Sequence, residues 1–504
     1  MQNRPASDWL AQGRAQVVRG DAAGALALFS NALIEHPDSV DLAHAEAGLL
    51  WQAKRTSEAE SRLRDLLARQ PDHVAVAFLL AKILQEQGRM HSVEMTLRAL
   101  FEQMTPDVDQ LIRAIELLDD CGRKQAATEL VERAIVAGSS DPRLHAYAGM
   151  LNLQLGAFDL ARERYLFALQ NDARALDWQS AYGLVASTRY ARPQHPDFER
   201  LRGYLQRPAL SAQARASVLF ALAKASDDIA DHAQAAGYLR EANGIIDAGV
   251  DWSRKNWRRL VNARLDAQPV PEHVAPIVDF APVFIVGLPR SGTTLVAERL
   301  SRHRDVCNRG ELPWLPHLAQ QLARTPGDRA GAAATYCAQV RQDDPNARWF
   351  IDKQPLNFMH VDLIASVFPN AKILWCRRNS RDTALSIWMQ YFAGPENNFA
   401  YDFGNIAAVA QGSARLLARA HERHPQLIHE VRYETLTDNP DECLRALAGW
   451  IGLSPLDDAA PTDTRSIIST SSAWQARQPV YRSSVGRWQA YAPWVPELLQ
   501  FPDD

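Results

Sequence analysis

The chain has 504 residues, a hydrophobic fraction of 47%, a charged fraction of 23% and a formal net charge of −4. This length predicts two or three domains, and the composition is ordinary for a globular protein. Because there is no long run of Lys or Arg, non-specific nucleic-acid binding is not indicated.

The cysteine spacing and the lengths of the apolar segments indicate the cellular compartment of the protein. The five cysteines are scattered and form no Cys-x-x-Cys pair, so neither a zinc site nor a disulfide framework is indicated. The first residues lack the apolar core of a signal peptide, and no apolar stretch is long enough to cross a membrane. We therefore expect a cytoplasmic protein that uses no metal and contacts neither a membrane nor nucleic acid.

The first 180 residues show a repeating helical pattern. Pro-Asp or Asp-Pro pairs begin at Pro37, Pro71, Pro106 and Asp141, 34 or 35 residues apart. This period is typical of tetratricopeptide repeats, in which each helix pair buries its apolar face against its neighbours. In the first repeat, the residues at the motif's spacing are Trp9, Gly13, Ala25, Phe29, Ala32 and Pro37. We predict a tetratricopeptide-type α-solenoid over residues 1–180.

Residues 181–267 are expected to add helix pairs that end the solenoid. Two helices are predicted there, Ala212–Lys224 and His232–Ala248, with Gly249 as a stop signal. The segment Gln268–Pro271 is predicted to be a linker.

From about residue 275, short apolar runs alternate with helical patterns. The predicted strands are Val283–Gly287, Trp349–Asp352, Lys372–Arg377 and Leu427–Tyr433. The predicted helices are Thr294–Arg302, Asn357–Phe368, Arg381–Tyr391, Gly404–Arg423 and Asp441–Ile451. This alternation predicts a three-layer α/β domain over residues 275–504, with a parallel sheet. Arg290, Lys353 and Arg378 each follow a strand, at the edge where such sheets bind ligands.

The segment Val283–Thr294 (VFIVGLPRSGTT) combines a buried strand, a glycine-bounded loop and a helix start. Inward N–H groups and the helix dipole would form an anion cradle there. The spacing fits G-x-x-x-x-G-K-[ST], except that Thr293 stands in the lysine position. Arg290 supplies positive charge from within the loop instead. Since a nucleoside-triphosphate hydrolase needs that lysine, we predict that the loop holds a phosphate-like group other than a γ-phosphate.

A second anion site is predicted after the third strand. Arg378 leaves that strand, and Ser386 follows eight residues later on the next helix. An arginine and a hydroxyl so placed can clamp a phosphate. Two such sites on one sheet, without a Walker lysine, describe 3′-phosphoadenosine 5′-phosphosulfate.

These motifs give residues 280–490 a resemblance to the sulfotransferase family. The segment PRSGTT (289–294) resembles the family's 5′-phosphosulfate loop, and Arg378-Asn379 with Ser386 resembles its 3′-phosphate motif. Segments 352–360 and 474–481 are similar to tyrosylprotein sulfotransferases and to bacterial tetratricopeptide-repeat sulfotransferases. The resemblance implies a P-loop-like sulfotransferase domain that uses 3′-phosphoadenosine 5′-phosphosulfate and releases adenosine 3′,5′-bisphosphate.

The resemblance also implies which residues bind the donor. They are Arg290, Ser291, Gly292, Thr293, Thr294, Arg378, Ser386, Tyr433, Arg482 and Arg487. One position departs from the pattern, because Gln390 stands where the tyrosylprotein branch has a further arginine.

Three residues match catalytic positions of the family. Glu311 would act as the general base that takes the acceptor's proton. Lys353 would stabilise the charge that develops on the bridging oxygen as the S–O bond breaks. Ser472 would support the transition state, although the adjoining Ser471 is an alternative.

Other functions and several partners stay open at this point. A P-loop kinase or nucleotidase is opposed by the missing lysine and by the absence of a clear Walker-B aspartate. A non-catalytic tetratricopeptide scaffold is a further alternative. The resemblance favours a tyrosine in a peptide or protein as acceptor, and a glycan or small-molecule hydroxyl remains possible. The repeats could bind protein partners or a second copy of the chain.

Overall fold

The computed structural model describes residues 4–103, 107–268, 274–343, 347–392, 394–454, 482 and 484–504. The chain divides into two compact units, residues 1–130 with 341–344 and residues 131–340 with 345–504. The domain boundaries predicted from the sequence stay a prediction.

The first unit is built from consecutive antiparallel helix pairs. Its helices are α1 (Ala6–Val18), α2 (Ala22–Glu35), α3 (Val40–Gln52), α4 (Thr56–Arg69), α5 (Val74–Glu86), α6 (Met90–Gln103), α7 (Val108–Asp120) and the first part of α8 (Lys124–Val136). Small residues let paired helices approach closely: a Cβ on Gly13 would lie 2.1 Å from the ring of Phe29. Ala25 and Ala32 are completely buried beside that ring. The predicted helical solenoid is confirmed.

The second unit begins with more helices. They are α9 (Pro142–Leu155), α10 (Phe158–Asn171), a 3-10 turn (Ala173–Leu176), α11 (Ser180–Ala186), α12 (Pro196–Leu205), α13 (Ala212–Asp228), α14 (His232–Asp247) and α15 (Arg254–Asp266). Both predicted helices are present, and α13 extends four residues beyond its predicted end. The sequence interpretation missed α11, α12 and α15. Gly149 and Gly183 both lie against the ring of Tyr165, where a Cβ would come within 2.9 Å and 2.3 Å of it.

The second unit ends in an α/β domain around a five-stranded parallel sheet. The strands are β1 (Ala281–Gly287), β2 (Val306–Asn308), β3 (Trp349–Asp352), β4 (Lys372–Arg377) and β5 (Ile428–Arg432), in the order β2-β3-β1-β4-β5. All four predicted strands are present. The edge strand β2 was missed because its three residues are only half-buried and carry no apolar run.

Helices and 3-10 turns cover this sheet. The helices are α16 (Thr293–Leu300), α17 (Trp314–Arg324), α18 (Arg329–Arg341), α19 (Val361–Val367), α20 (Ser380–Trp388), α21 (Phe403–Arg423), α22 (Tyr433–Asp438), α23 (Pro440–Ile451) and α24 (Trp488–Tyr491). The 3-10 turns are Pro355–His360, Pro395–Tyr401 and Pro496–Gln500. The prediction of one helix over Asn357–Phe368 was wrong, because the backbone leaves the helical path at His360 (φ −120°) and divides the segment.

The core lies on both faces of the sheet. Successive side chains of a strand point to opposite faces. Accordingly Phe284 packs in the cluster with Phe350 and Phe368, whereas Val283 and Ile285 pack in the cluster on the other face. All seven residues of β1 are buried, which confirms the three-layer arrangement.

Helices α13 and α14 pack directly on the α/β domain within this unit. Phe220 and Leu239 share one buried cluster with Trp388 and Tyr391. The ring of Phe220 stacks on that of Tyr391, with centroids 4.9 Å apart. The end of helix α20 is therefore held against the preceding helices. Among the described residues, none of the helices has both the length and the apolar character that a membrane span requires.

Candidate functional site

The loop between β1 and α16 needs glycine at both ends. Gly287 has φ +148°, and a Cβ there would lie 2.5 Å from the backbone oxygen of Cys376 on β4. Gly292 has φ +99°, and a Cβ there would lie 2.7 Å from the ring of Tyr433. Arg290 between them also adopts a left-handed conformation, with φ 70°. Close packing against β4 and Tyr433, together with the backbone conformation, therefore requires glycine at both positions.

Inside this loop, a side-chain hydroxyl forms a hydrogen bond with the loop's own backbone. The hydroxyl of Ser291 donates to the carbonyl of Leu288 at 2.7 Å. Ser291 and Thr293 are almost fully buried, and Thr294 is partly buried. Gly292 is the N-cap of α16 and supplies no side-chain cap. The start of α16 therefore has no side-chain cap, as at helix N-termini that bind anions.

The structure brings both predicted anion-binding segments together. Arg290 donates from Nε to the hydroxyl of Ser386 at 3.0 Å. Arg378 donates to the carbonyl oxygens of Arg290 at 3.2 Å and Ser484 at 2.5 Å. Its guanidinium lies 4.9 Å from the ring centroid of Tyr433. The Nε of Arg378 is buried without a hydrogen-bond partner among the described residues, as expected of a group that awaits a ligand.

The C-terminal segment is fastened to helix α20 by a residue that sequence reasoning missed. Asp382 is buried and accepts from the backbone N–H groups of Gly486 at 2.7 Å and Trp488 at 2.9 Å. Arg487 lies between these two residues. The sequence shows an aspartate four residues after Arg378. Its role could not be predicted from that position, because its partners are about one hundred residues away in sequence.

Of the two C-terminal arginines, only Arg487 is anchored from the helical part of the unit. It pairs with Asp227 of α13, whose other carboxylate oxygen accepts from the hydroxyl of Tyr491 at 2.7 Å. Arg482 is two-thirds exposed and pairs with Asp438 at 2.5 Å. The structure therefore does not bring Arg482 into contact with Arg290 or Arg378, and its role stays a prediction.

The predicted base and the predicted lysine form one ion pair. Lys353 follows β3 and is 3% exposed, and its ammonium group pairs with the carboxylate of Glu311. The Glu311 side chain is 37% exposed, so acceptors can reach it. The backbone N–H of Lys353 donates to the carbonyl of Gly310 at 2.8 Å. That bond fixes the loop after β2 alongside the end of β3.

Beneath this pair lies Asp352, a completely buried carboxyl group that sequence reasoning did not single out. It accepts from the hydroxyl of Tyr336 at 2.6 Å, from the amide of Asn357 at 3.3 Å and from the backbone N–H of Leu312. Burial raises the pKa of Asp352 to about 7, although these hydrogen bonds and Lys353 oppose the shift. Because Leu312 directly follows Glu311, Asp352 holds the loop that carries the predicted base.

For two of the predicted site residues there is no structural description. Ser471 and Ser472 lie outside the described residues. Within the part of the chain that the structure describes, no three His, Cys, Asp or Glu side chains are grouped so that they could hold a metal ion.

Comparison with known proteins divides the chain in the same way as its motifs. Residues 282–458 match the model described as the sulfotransferase family. Residues 19–83 and 50–114 each match a tetratricopeptide-repeat model.

Curated relatives cover only parts of the chain. An uncharacterized protein of Aquifex aeolicus is 29% identical over 328 residues, which are 60% of this chain and 43% of the relative. The nodulation protein NoeE of Sinorhizobium fredii is 27% identical over 34% of this chain and 50% of its own. A protein-tyrosine sulfotransferase of Drosophila melanogaster is 26% identical over 35% of this chain and 39% of its own. The matches thus span half or less of the length of these relatives.

Among solved structures, the sulfotransferase domain of the Synechococcus olefin synthase is similar, with 18% identity and a TM-score of 0.34. The match covers 46% of this chain and 95% of that one. A sulfotransferase of Mycobacterium tuberculosis matches with 15% identity and a TM-score of 0.26, over 64% of this chain and 98% of that one.

Proposed function

The chain carries a sulfotransferase-family domain at residues 282–458, and we propose that it transfers a sulfuryl group from 3′-phosphoadenosine 5′-phosphosulfate to an acceptor hydroxyl. One observation carries the proposal: three predicted functional segments meet at the carboxyl edge of one sheet. They are the Gly287–Thr294 loop, the Arg378–Ser386 segment and the Glu311–Lys353 pair. Strands β3 and β4 both pair with β1, so these segments are neighbours.

The residues present fit such a donor. The loop leads into the start of α16, which has no side-chain cap and lies at the positive end of the helix dipole. Arg378 has a buried Nε that lacks a partner among the described residues, and its guanidinium lies over the ring of Tyr433. When bound, the donor supplies an activated sulfuryl group and leaves as adenosine 3′,5′-bisphosphate.

The Glu311–Lys353 pair supplies the chemistry. Glu311 takes the proton of the acceptor hydroxyl as that oxygen attacks sulfur. Lys353 is buried, so its charge acts in a medium of low polarity on the negative charge that develops on the leaving oxygen. Ser472, or the adjoining Ser471, is proposed to stabilise the same transition state.

We propose a tyrosine in a peptide or protein as the acceptor, since a protein-tyrosine sulfotransferase is among the relatives. A glycan or small-molecule hydroxyl is the alternative. The tetratricopeptide repeats would then bind a protein partner. This partner would be either an acceptor protein or a second copy of this chain.

The direct test is donor turnover with and without the base. Release of adenosine 3′,5′-bisphosphate is measured in EDTA with tyrosine peptides, phenols and sugars as acceptors. Glu311→Gln should lower turnover by about 10²–10⁴-fold, with donor affinity nearly unchanged. Glu422→Gln is the matched control, because Glu422 is an exposed residue of α21 that pairs with Arg419. Equal turnover of the Glu311 variant and the wild type would contradict the assignment.

A further inference from the structure

A buried tyrosine of α18 supports the candidate site from below. Tyr336 is 1% exposed, and its hydroxyl donates to a carboxylate oxygen of Asp352 at 2.6 Å. Its ring packs against the rings of Phe284 and Phe368, whose centroids are 5.9 Å and 4.9 Å away. Because these contacts fix the ring, the phenol oxygen has a defined position. Burial and the neighbouring carboxylate raise the pKa of Tyr336, so its hydroxyl keeps its proton and donates.

Asp352 connects this tyrosine to the loop that carries Glu311. It is completely buried and accepts from the backbone N–H of Leu312, the residue after Glu311. On the other side of Glu311, the carbonyl of Gly310 accepts from the backbone N–H of Lys353 at 2.8 Å. Both neighbours of Glu311 are thus hydrogen-bonded to consecutive residues at and just after the end of β3, and Glu311 is held between them.

The hydroxyl of Tyr336 is a principal partner of the Asp352 carboxylate. The side-chain amide of Asn357 also donates to this carboxylate, but at 3.3 Å against 2.6 Å for the hydroxyl, so the hydroxyl is the stronger of the two side-chain donors. Without it, a buried carboxylate lacks one of its partners and moves or takes up a proton. Either change alters the hydrogen bond between Asp352 and the loop.

We propose that Tyr336 is a positioning residue of the transfer reaction, which acts through Asp352 to hold Glu311 within reach of the acceptor hydroxyl. This inference rests on the proposed function, since Glu311 is the base assigned there. A general base must lie within about 3 Å of the oxygen whose proton it takes, and a displacement of about 1 Å costs on the order of a hundredfold in rate. Tyr336 is assigned no contact with the donor, so its hydroxyl affects the turnover number and not donor affinity.

The hydroxyl can be removed while the aromatic contacts remain. Tyr336→Phe keeps the ring between Phe284 and Phe368. Tyr190→Phe is the matched control, because the buried hydroxyl of Tyr190 donates in the same way to Asp197 at 2.8 Å, in the helical part of the second unit. Donor turnover is measured for each variant, together with calorimetric titration of adenosine 3′,5′-bisphosphate and thermal unfolding.

For Tyr336→Phe we expect a kcat about tenfold below that of the wild type, with the bisphosphate affinity unchanged. Tyr190→Phe should keep the wild-type kcat, even where it lowers the unfolding temperature as much. The Glu311→Gln background separates positioning from a general disturbance. Because the base is already absent there, adding Tyr336→Phe should change the residual turnover less than about twofold.

An unchanged kcat in Tyr336→Phe, or an equal loss with and without Glu311, would overturn this inference and leave the proposed function intact. Asp352→Asn is the second variant if Tyr336→Phe does not fold. It changes the same hydrogen bonds from the carboxylate side and should show the same dependence on Glu311. A wild-type protein without donor turnover would overturn the proposed function and this inference with it.

Discussion

At the scale of single residues, the candidate site contains a buried cation that is paired with a partly exposed carboxylate. Lys353 is almost fully buried and is matched by the partly exposed Glu311. Removing one partner of such a pair leaves an uncompensated charge, which costs more than the pair contributes. The arrangement therefore favours a single geometry in which the proposed base, Glu311, and the ammonium group of Lys353 face each other.

Asp352 gives this site a measurable pH signature. Its pKa of about 7 in the folded chain exceeds the value near 4 expected in the unfolded chain. Between about pH 4 and 7 the folded state therefore holds a proton that the unfolded state has lost, so the free energy of unfolding decreases as the pH rises from about 4 to about 7 and levels off above that.

We predict that Asp352→Asn removes this dependence. Relative to the wild type, the variant should gain about 1–3 kcal/mol of stability between pH 5.5 and 8, measured by denaturant unfolding at each pH. Other titrating groups are shared by both proteins and cancel in the difference. Parallel stability curves for the two proteins would show that Asp352 is ionised throughout.

Sequence motifs predict some residues of the candidate site and miss others for a physical reason. Arg290, Lys353, Arg378 and Ser386 stand at fixed spacings from strands, so a linear motif reveals them. Asp352 was visible only as the last residue of a strand, because Tyr336 and Leu312 become its partners through folding.

At the scale of elements, two acidic residues hold the C-terminal segment against the sheet edge. Asp382 on α20 binds two backbone N–H groups of that segment, and Asp227 on α13 binds Arg487 and Tyr491. Arg487 is thus positioned by two helices from different parts of the chain.

We predict that Asp227→Asn weakens binding of adenosine 3′,5′-bisphosphate by about three- to tenfold, because a neutral amide holds Arg487 less firmly. Asp266→Asn at the exposed end of α15 is the control. The measurement is calorimetric titration, with thermal unfolding to compare the stabilities. Unchanged affinity in the Asp227 variant would mean that Arg487 takes no part in donor binding.

Strong apolar runs made the central elements predictable. Strands β3 and β4 begin and end where the sequence predicts, since both are short, buried and bounded by polar residues. The edge strand β2 and the helices α17 and α18 lack such runs, and tertiary contacts decide their structure.

At the scale of the whole molecule, the chain combines helix pairs that match a tetratricopeptide-repeat model with a domain that matches the sulfotransferase-family model. Both architectures follow from periodicity, which is 34 or 35 residues in the first part and strand–helix alternation in the second. The contacts of Asp227 with Arg487 and Tyr491 could not be predicted, because these partners lie more than 200 residues away in sequence.

The central claim is that the sheet edge binds a 3′-phosphorylated adenosine nucleotide without a metal ion. The most direct measurement is calorimetric titration in EDTA with adenosine 3′,5′-bisphosphate, compared with ATP in the presence and absence of magnesium. Arg378→Ala tests the site, and Arg377→Ala is the control, since Arg377 pairs with Glu430 and Asp504 instead.

The account predicts bisphosphate binding in EDTA that Arg378→Ala weakens at least tenfold and that Arg377→Ala preserves. Magnesium-dependent binding of ATP, with none of the bisphosphate, would contradict it and favour a P-loop kinase or nucleotidase.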